Sequence, residues 1–314
     1  MEVLHHLPEV PETRAAAVTF GNFDGVHIGH AALLSLLTQA AQRLGGPCTV
    51  VTFDPHPLHL LRPAAAPLAV DSLAGRLAAL QAMGVDRTVV LHFDAAFAAR
   101  PAEWFARDVL ARALGGRCIV VGPDARFGHG GQGDAGLLRR IAAEFGGEVE
   151  IFAGVRHGDG FVSSSRIRAA VAAGDAAEAA LLLGRPFCLR GAVVRGDGIG
   201  RTIGFPTANL ASPGQILPAD GVYAAVAQLG SQALDAVAHI GARPTFAGAR
   251  PQVEVHILDW QGDIYGHALD LHVVDRLRGV QRFAGIAELT AQIRCDIEGA
   301  RRALDAWRSE GRAP

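Results

Sequence analysis

Short runs of Val, Ile and Ala recur through the first half of the chain, each followed by Ala and Leu at helical spacing. The runs at 15–20, 48–53, 87–93, 117–122 and 148–154 are nearly continuous in apolar residues. That pattern predicts strands buried on both faces. Segments 29–44, 71–83, 101–114 and 133–146 repeat apolar residues every three or four positions and predict helices. Regular alternation of the two predicts an α/β domain, a parallel sheet with helices on both sides. Two Ala-rich helices follow, at 164–173 and 175–184, with Gly174 and Gly184 as stops.

The pattern changes at "LGRPF" (183–187). Segments 188–195, 221–229, 234–241, 251–259 and 268–276 alternate with period two, between Gly, Pro and Asp turns. They predict an antiparallel sheet or small barrel. A last amphipathic helix is expected over 285–308. Two domains result, 1–185 and 186–314.

Charge and composition narrow the function. The net charge of −2 gives no electrostatic case for nucleic acid or a membrane surface. No apolar run reaches the length of a membrane span, and residues 1–12 do not read as a signal peptide, so a cytoplasmic protein is expected. Cys48, Cys118, Cys188 and Cys295 lack the spacing of a metal site and read as small buried apolar residues. There is no lysine. A Walker-type lysine, a Schiff-base lysine and a lysine adenylate loop are therefore excluded. Phosphate charge must be met by Arg, His, backbone amides or a metal.

The stretch "TFGNFDGVHIGH" (19–30) joins the first strand to the first helix. Such a junction lies at the carboxyl edge of a parallel sheet, where ligands bind. Gly21 and Gly25 let backbone approach a phosphate, and free amides at the helix start attract an anion. His27 and His30 share one side of the first turn and can donate to a phosphoryl oxygen. A metal pair and an incidental capping turn are the competing readings. Asp54 and His56 in "FDPHP" either fix a loop or touch ligand.

In the second half, "RGDGIGRTIGFPTANL" (195–210) is glycine-rich but leads into Pro206 and extended chain rather than a helix. A dinucleotide fold is thereby excluded. Thr207 and Asn209 point to one side of extended chain, two oxygen ligands suited to magnesium. Along 251–260, Val253, Val255 and Ile257 share one face, and Glu254 and His256 the other. A carboxylate on a rigid strand can serve as general base to a hydroxyl. Asp270, Asp275 and the charges of the last helix read as solvated surface.

"HIGH" is similar to the motif of the nucleotidylyltransferase superfamily. "GNFDGVHIGH" with "TFDPHP" (52–57) resembles the amino-terminal half of bacterial bifunctional riboflavin kinase/FAD synthetases. "VVGPDARFGHGGQGD" (120–134), "VSSSRIR" (162–168) and "LLLGRPF" (181–187) look like further parts of that family. "GRTIGFPTANL", "GVYAAV" (221–226), "IGARPTF" (240–246), "VEVHILD" (253–259) and "FAGIAELTAQIRCDIEGAR" (283–301) resemble a flavokinase domain. The resemblance implies a Rossmann-like α/β first domain and an antiparallel β-barrel with a C-terminal helix. It implies riboflavin phosphorylation at Glu254 and adenylylation of FMN at His27, His30 and Arg168, with release of pyrophosphate. Nucleotide would be held by Gly21, Phe23, Asp24, Gly25, Asp124 and Ser164 in one domain and Gly198, Gly200, Arg201 and Gly204 in the other. Arg278 and Phe127 would contact flavin, and Thr207 and Asn209 would bind Mg2+.

Ala125 stands where the family often has an aromatic residue, Gly130 and Gly131 lie near positions often basic, and Val280 stands where many members have Glu. A monofunctional kinase with an altered first domain is the alternative. The expected partners are riboflavin, FMN and ATP, with neither nucleic acid nor membrane, and a homo-oligomer left open.

Overall fold

The structure, a computed structural model, describes residues 1–196, 199–212, 214–241 and 252–313. The chain divides into two compact units, one of Met1–Pro67 with Leu73–Val162, the other of Leu68–Ser72 with Ser163–Pro314.

The first unit holds a six-stranded, all-parallel sheet: β1 (Glu2–Leu4), β2 (Ala16–Phe20), β3 (Cys48–Asp54), β4 (Arg87–His92), β5 (Gly116–Val121) and β6 (Glu148–Ile151). Their order is β1-β4-β3-β2-β5-β6. The inner strands β2–β5 are apolar on both faces because both are covered, whereas edge strands β1 and β6 carry Glu2, Glu148 and Glu150 and are partly exposed. Val18, Val51, Val89 and Ile119 face one core; Ala17, Val50, Cys118 and Val120 face the other, against Leu34 and Leu37 of helix Ile28–Leu44. The chain runs from β2 outward through β3 to β4, then returns to β5 on the other side of β2. The switch point thus falls between β2 and β5, where open α/β sheets place ligands. The loop after β2 is the one carrying the paired histidines. Segment 101–114 is helical, though most of it, Phe105–Ala113, is wound as a π-helix.

The second unit begins with helices Ser164–Ala173 and Ala176–Leu183, ended by Gly174 and Gly184 at φ 73° and 76°. After the small hairpin strands β7 (Arg156–His157) and β8 (Gly160–Phe161) of the first unit, the remaining six strands close a barrel. They are β9 (Phe187–Val194), β10 (Ala208–Ala211), β11 (Gly221–Leu229), β12 (Gln232–Gly241), β13 (Gln252–Ile257) and β14 (Ala268–Arg278), ordered β10-β13-β12-β11-β14-β9 and antiparallel throughout. Side chains alternate between the filled interior (Val253, Val255, Ile257) and the outer wall. Helix Ile286–Ser309 packs on that outer wall, with Ala300, Leu304 and Trp307 against Ala224 and Val226 of β11.

Two expectations are corrected by burial. Asp296, on the last helix, is 6 % exposed rather than solvated, and Cys295 is exposed rather than buried. Asp270 is half-buried and accepts from Arg190 Nε at 2.9 Å.

Candidate active sites

The first site grows from the turn between β2 and helix Ile28–Leu44. Phe23, Gly25 and Val26 all have positive φ, at 48°, 81° and 37°. For β-branched Val26 this is strained, at a cost of roughly 1–3 kcal/mol. The strain is held by burial, since Phe23 and Val26 are 3 % and 1 % exposed. Arg76, itself buried, ties the loop down. Its Nη1 donates to Asn22 O at 2.8 Å, to Thr52 Oγ1 at 3.1 Å and to Phe53 O at 3.3 Å. Sequence reasoning missed Arg76 because it sits in an ordinary helical stretch, "LAGRLAALQA".

His27 is the N-cap of the helix and His30 its third residue. His27 Nδ1 accepts from His30 N–H at 3.2 Å, and His30 Nδ1 accepts from His27 N–H at 3.4 Å. The rings stack, with centroids 3.7 Å apart and planes 13° from parallel. With both Nδ1 atoms accepting, each neutral ring carries its hydrogen on Nε2. Burial, helped by repulsion from His27, pushes His30 well below the usual imidazole range. A Cβ on Gly29 would lie 3.1 Å from the His27 ring, so any side chain there would push the ring aside by a few tenths of an ångström. The capping reading is therefore borne out, and the cap fixes the orientation of both rings. Among the described residues no third His, Cys, Asp or Glu completes a metal set here.

Gly21 and Gly25 lie in this turn, and Asp24 is 6 % exposed within it. Asp124 is exposed on the turn that leaves β5, across the switch point. Phe127 is 7 % exposed, packed edge-on against Phe20 at 5.4 Å and beside Phe105 at 5.8 Å. His56 caps the short helix Pro57–Leu61 and meets the Asn22 amide at 3.0 Å, which favours its loop-fixing role. Ser164 and Arg168 belong to the second compact unit; Ser164 opens helix Ser164–Ala173 and Arg168 Nε donates to Leu68 O at 2.8 Å.

The second site is on the outer wall of the barrel. Register aligns Asn209, Glu254, His239, Val222 and Arg278 as direct cross-strand neighbours over five strands. Cross-strand neighbours point to the same side. Four of them, Glu254, His239, Val222 and Arg278, line a cavity of about 730 Å³ between the barrel and the start of the last helix. Its walls are mostly apolar, from Ile203, Phe205, Val237, Phe283, Leu289 and Ile293. Arg278 is clamped by Asp296, Nε to Oδ1 at 2.8 Å and Nη2 to Oδ2 at 2.7 Å.

Thr207 lines this cavity and also a smaller one of about 220 Å³ that reaches Arg201 and Tyr265. Gly196 and Gly200 both lie close to this junction. A Cβ on Gly200 would fall 2.3 Å from Phe205 O and 3.3 Å from Thr207 Oγ1; one on Gly196 would fall 2.0 Å from Asn209 Nδ2. Gly204 takes φ 89°. His256 Nδ1 donates to Pro206 O at 2.7 Å and so holds the Pro206–Thr207 turn. Gly198 and most of "IGARPTF" lie outside the described residues.

A parallel-sheet domain with paired histidines beside its switch point and a barrel with a carboxylate at an apolar cavity describe a transferase with two sites. The sequence matches the FAD synthetase family over residues 9–166 and the riboflavin kinase family over 183–304. The chain belongs to the family of bifunctional riboflavin kinase/FMN adenylyltransferases, and both enzymatic domains are present. It is 42 % identical over 299 residues to the bifunctional riboflavin kinase/FMN adenylyltransferase of Escherichia coli K12, covering 95 % of each chain. With that of Bacillus subtilis it shares 34 % over 94 % of each chain. A crystal structure described as a macrolide-efflux protein from Streptococcus pneumoniae matches with TM-score 0.83 and 34 % identity, over 95 % of this chain and 98 % of that one. Among the described residues no helix is long and apolar enough to cross a membrane.

Proposed function

We propose that the barrel phosphorylates riboflavin to FMN and the parallel-sheet domain joins FMN to the AMP part of ATP, with the working residues as follows. The observation that carries the kinase half is Glu254 facing a cavity of about 730 Å³ with apolar walls. That size and lining suit a flat, largely apolar ring system. Glu254 takes the proton of the 5′-hydroxyl, whose oxygen then attacks the γ-phosphorus of ATP. Arg278, held by Asp296, orients the flavin. The smaller cavity beside Thr207 takes phosphates, with Arg201 and the amides of Gly200 and Gly204 as donors. Gly198 is assigned the same role from the family motif. Thr207 and Asn209 are hard oxygen donors that fit Mg2+, with ATP phosphates completing the set. When bound, the ion neutralises phosphate charge.

In the adenylyl-transfer half the nucleophile is a phosphate oxygen of FMN, ionised at neutral pH, so no strong base is needed. It attacks the α-phosphorus of ATP and pyrophosphate leaves. The Nε2–H groups of His27 and His30 donate to the phosphate oxygens as charge moves to the leaving group. Gly21, Phe23, Asp24 and Gly25 shape the turn around nucleotide, and Asp124 receives it from the other side of the switch point. Ser164 and Arg168 are assigned to the same reaction by the likeness of "VSSSRIR" to the family's second nucleotide motif. Phe127 supports the flavin loop from within the aromatic core. Adenylyl transfer is assigned to 1–185 and the kinase to 186–314, on the change of sequence pattern at 183–187. The cytoplasm is the assigned location.

The test is product chromatography of the pure chain incubated with riboflavin, ATP and Mg2+. FAD is the expected end product. Accumulation of FMN without FAD would leave only the kinase, and unchanged riboflavin would remove both assignments.

A further inference from the structure

A second cluster of chemistry-bearing side chains lies on the outer wall of β9 and β14. Leu189 and Leu271 point into the barrel and are fully buried, so Cys188, Asp270 and His272 point outward. His272 is the direct cross-strand neighbour of Cys188, and Asp270 is two residues along the same strand. Cys188 Sγ lies 4.0 Å from His272 Nε2, and one donor atom from each of the three residues falls within 4.8 Å of the others. Ligands of a tetrahedral ion at ordinary Zn–S and Zn–N lengths sit about 3.5 Å apart, so small side-chain rotations would close the set. His272 Nδ1 is buried and has no hydrogen-bond partner among the described residues.

We propose that Cys188, His272 and Asp270 form a binding site for a borderline-soft divalent cation of the zinc class, with water as fourth ligand. Sulfur, imidazole and a single carboxylate oxygen favour such an ion over Mg2+. On binding, the S–H bond of Cys188 breaks, the proton leaves to solvent, and sulfur takes the ion without change of oxidation state. Burial lowers His272 to about 4, with Arg190 adding to the shift, so its imidazole is neutral and ready to ligate. The same burial raises the Cys188 thiol, so the ion competes with that proton. Arg190 holds Asp270 through Nε at 2.9 Å, as an outer partner that orients the carboxylate. Its charge and that of Arg185 are matched by Asp71, at 2.5 and 3.6 Å, and by Asp270. The ion would pin β9 to β14 and has no part in the flavin chemistry.

Cd2+ titration of the metal-free full chain, followed by thiolate charge-transfer absorption, tests this. Cys295→Ser removes the exposed thiol and serves as background. In that background one equivalent of Cd2+ is expected to bind and to resist excess Mg2+. Cys188→Ser and, separately, His272→Gln should weaken binding by at least about tenfold, with circular dichroism showing each folded. No charge-transfer band in the background chain, displacement by Mg2+, or undiminished binding in both variants would each overturn the site.

Discussion

His27 and His30 each accept at Nδ1 the backbone N–H of the other, at 3.2 and 3.4 Å. The exchange caps the helix and leaves the hydrogen of each neutral ring on Nε2. Replacing His27 by Asn keeps a cap acceptor but removes the donor at that reach. His27→Asn and His30→Gln should lower the rate of FAD formation from FMN by about 10²–10³, with riboflavin kinase activity unchanged. His27→Ala should also lose about 1 kcal/mol of stability with the cap. Steady-state rates beside denaturant melts separate the two effects; an FAD rate near the parent's would count against the donor role.

The buried, neutral state of His30 has a pH consequence. In the unfolded chain an ordinary imidazole protonates near pH 6.5. In the folded chain burial and His27 resist that proton. The unfolded state therefore binds more protons below about 6.5, and stability falls as pH drops through that value. Above it the contribution is fully present. Denaturant melts across the acid range should show this loss, reduced in His30→Gln, and the His30 ring resonances should fail to titrate at about pH 6.5.

Arg76 touches no reacting atom in this scheme; it is a positioning residue for the strained turn. Arg76→Lys keeps the charge, but its ammonium sits on a shorter stem and falls short of the point where Nη1 alone meets Asn22 O, Thr52 Oγ1 and Phe53 O. FAD formation should fall by about tenfold or more, mainly in kcat, while FMN formation from riboflavin stays as it was. Equal loss in both reactions would indicate general destabilisation instead.

Asp296 is buried and holds both ends of the Arg278 fork. Asp296→Asn should leave Arg278 underpaired at the cavity wall and cost about 3 kcal/mol or more. The KM for riboflavin should rise, since the guanidinium loses its fixed direction. Thermal melts and kinase kinetics with varied riboflavin check both parts.

Much of the architecture was legible because strands buried on both faces write themselves as unbroken apolar runs, and Glu254 stood out on a strand alternating with Val253 and Val255. Strand β1 was not, since three residues with two exposed carry no pattern. Segment 71–83 was expected to be wholly helical. Its first residues instead belong to Leu68–Ser72, in the second unit, where Asp71 meets Arg190 across 119 positions of sequence. An ion pair at that separation leaves no local signal. Arg76 and Asp296 look like surface charges on helices, and only packing reveals their burial. The cross-strand meeting of Cys188 and His272 is equally invisible, because it depends on strand register rather than on spacing.

Glu254→Gln, assayed separately with riboflavin and with FMN, bears most directly on two sites doing two reactions. The variant should fail to convert riboflavin to FMN yet make FAD from supplied FMN at the parent rate. Simultaneous loss of both products, or retained phosphorylation of riboflavin, would contradict it.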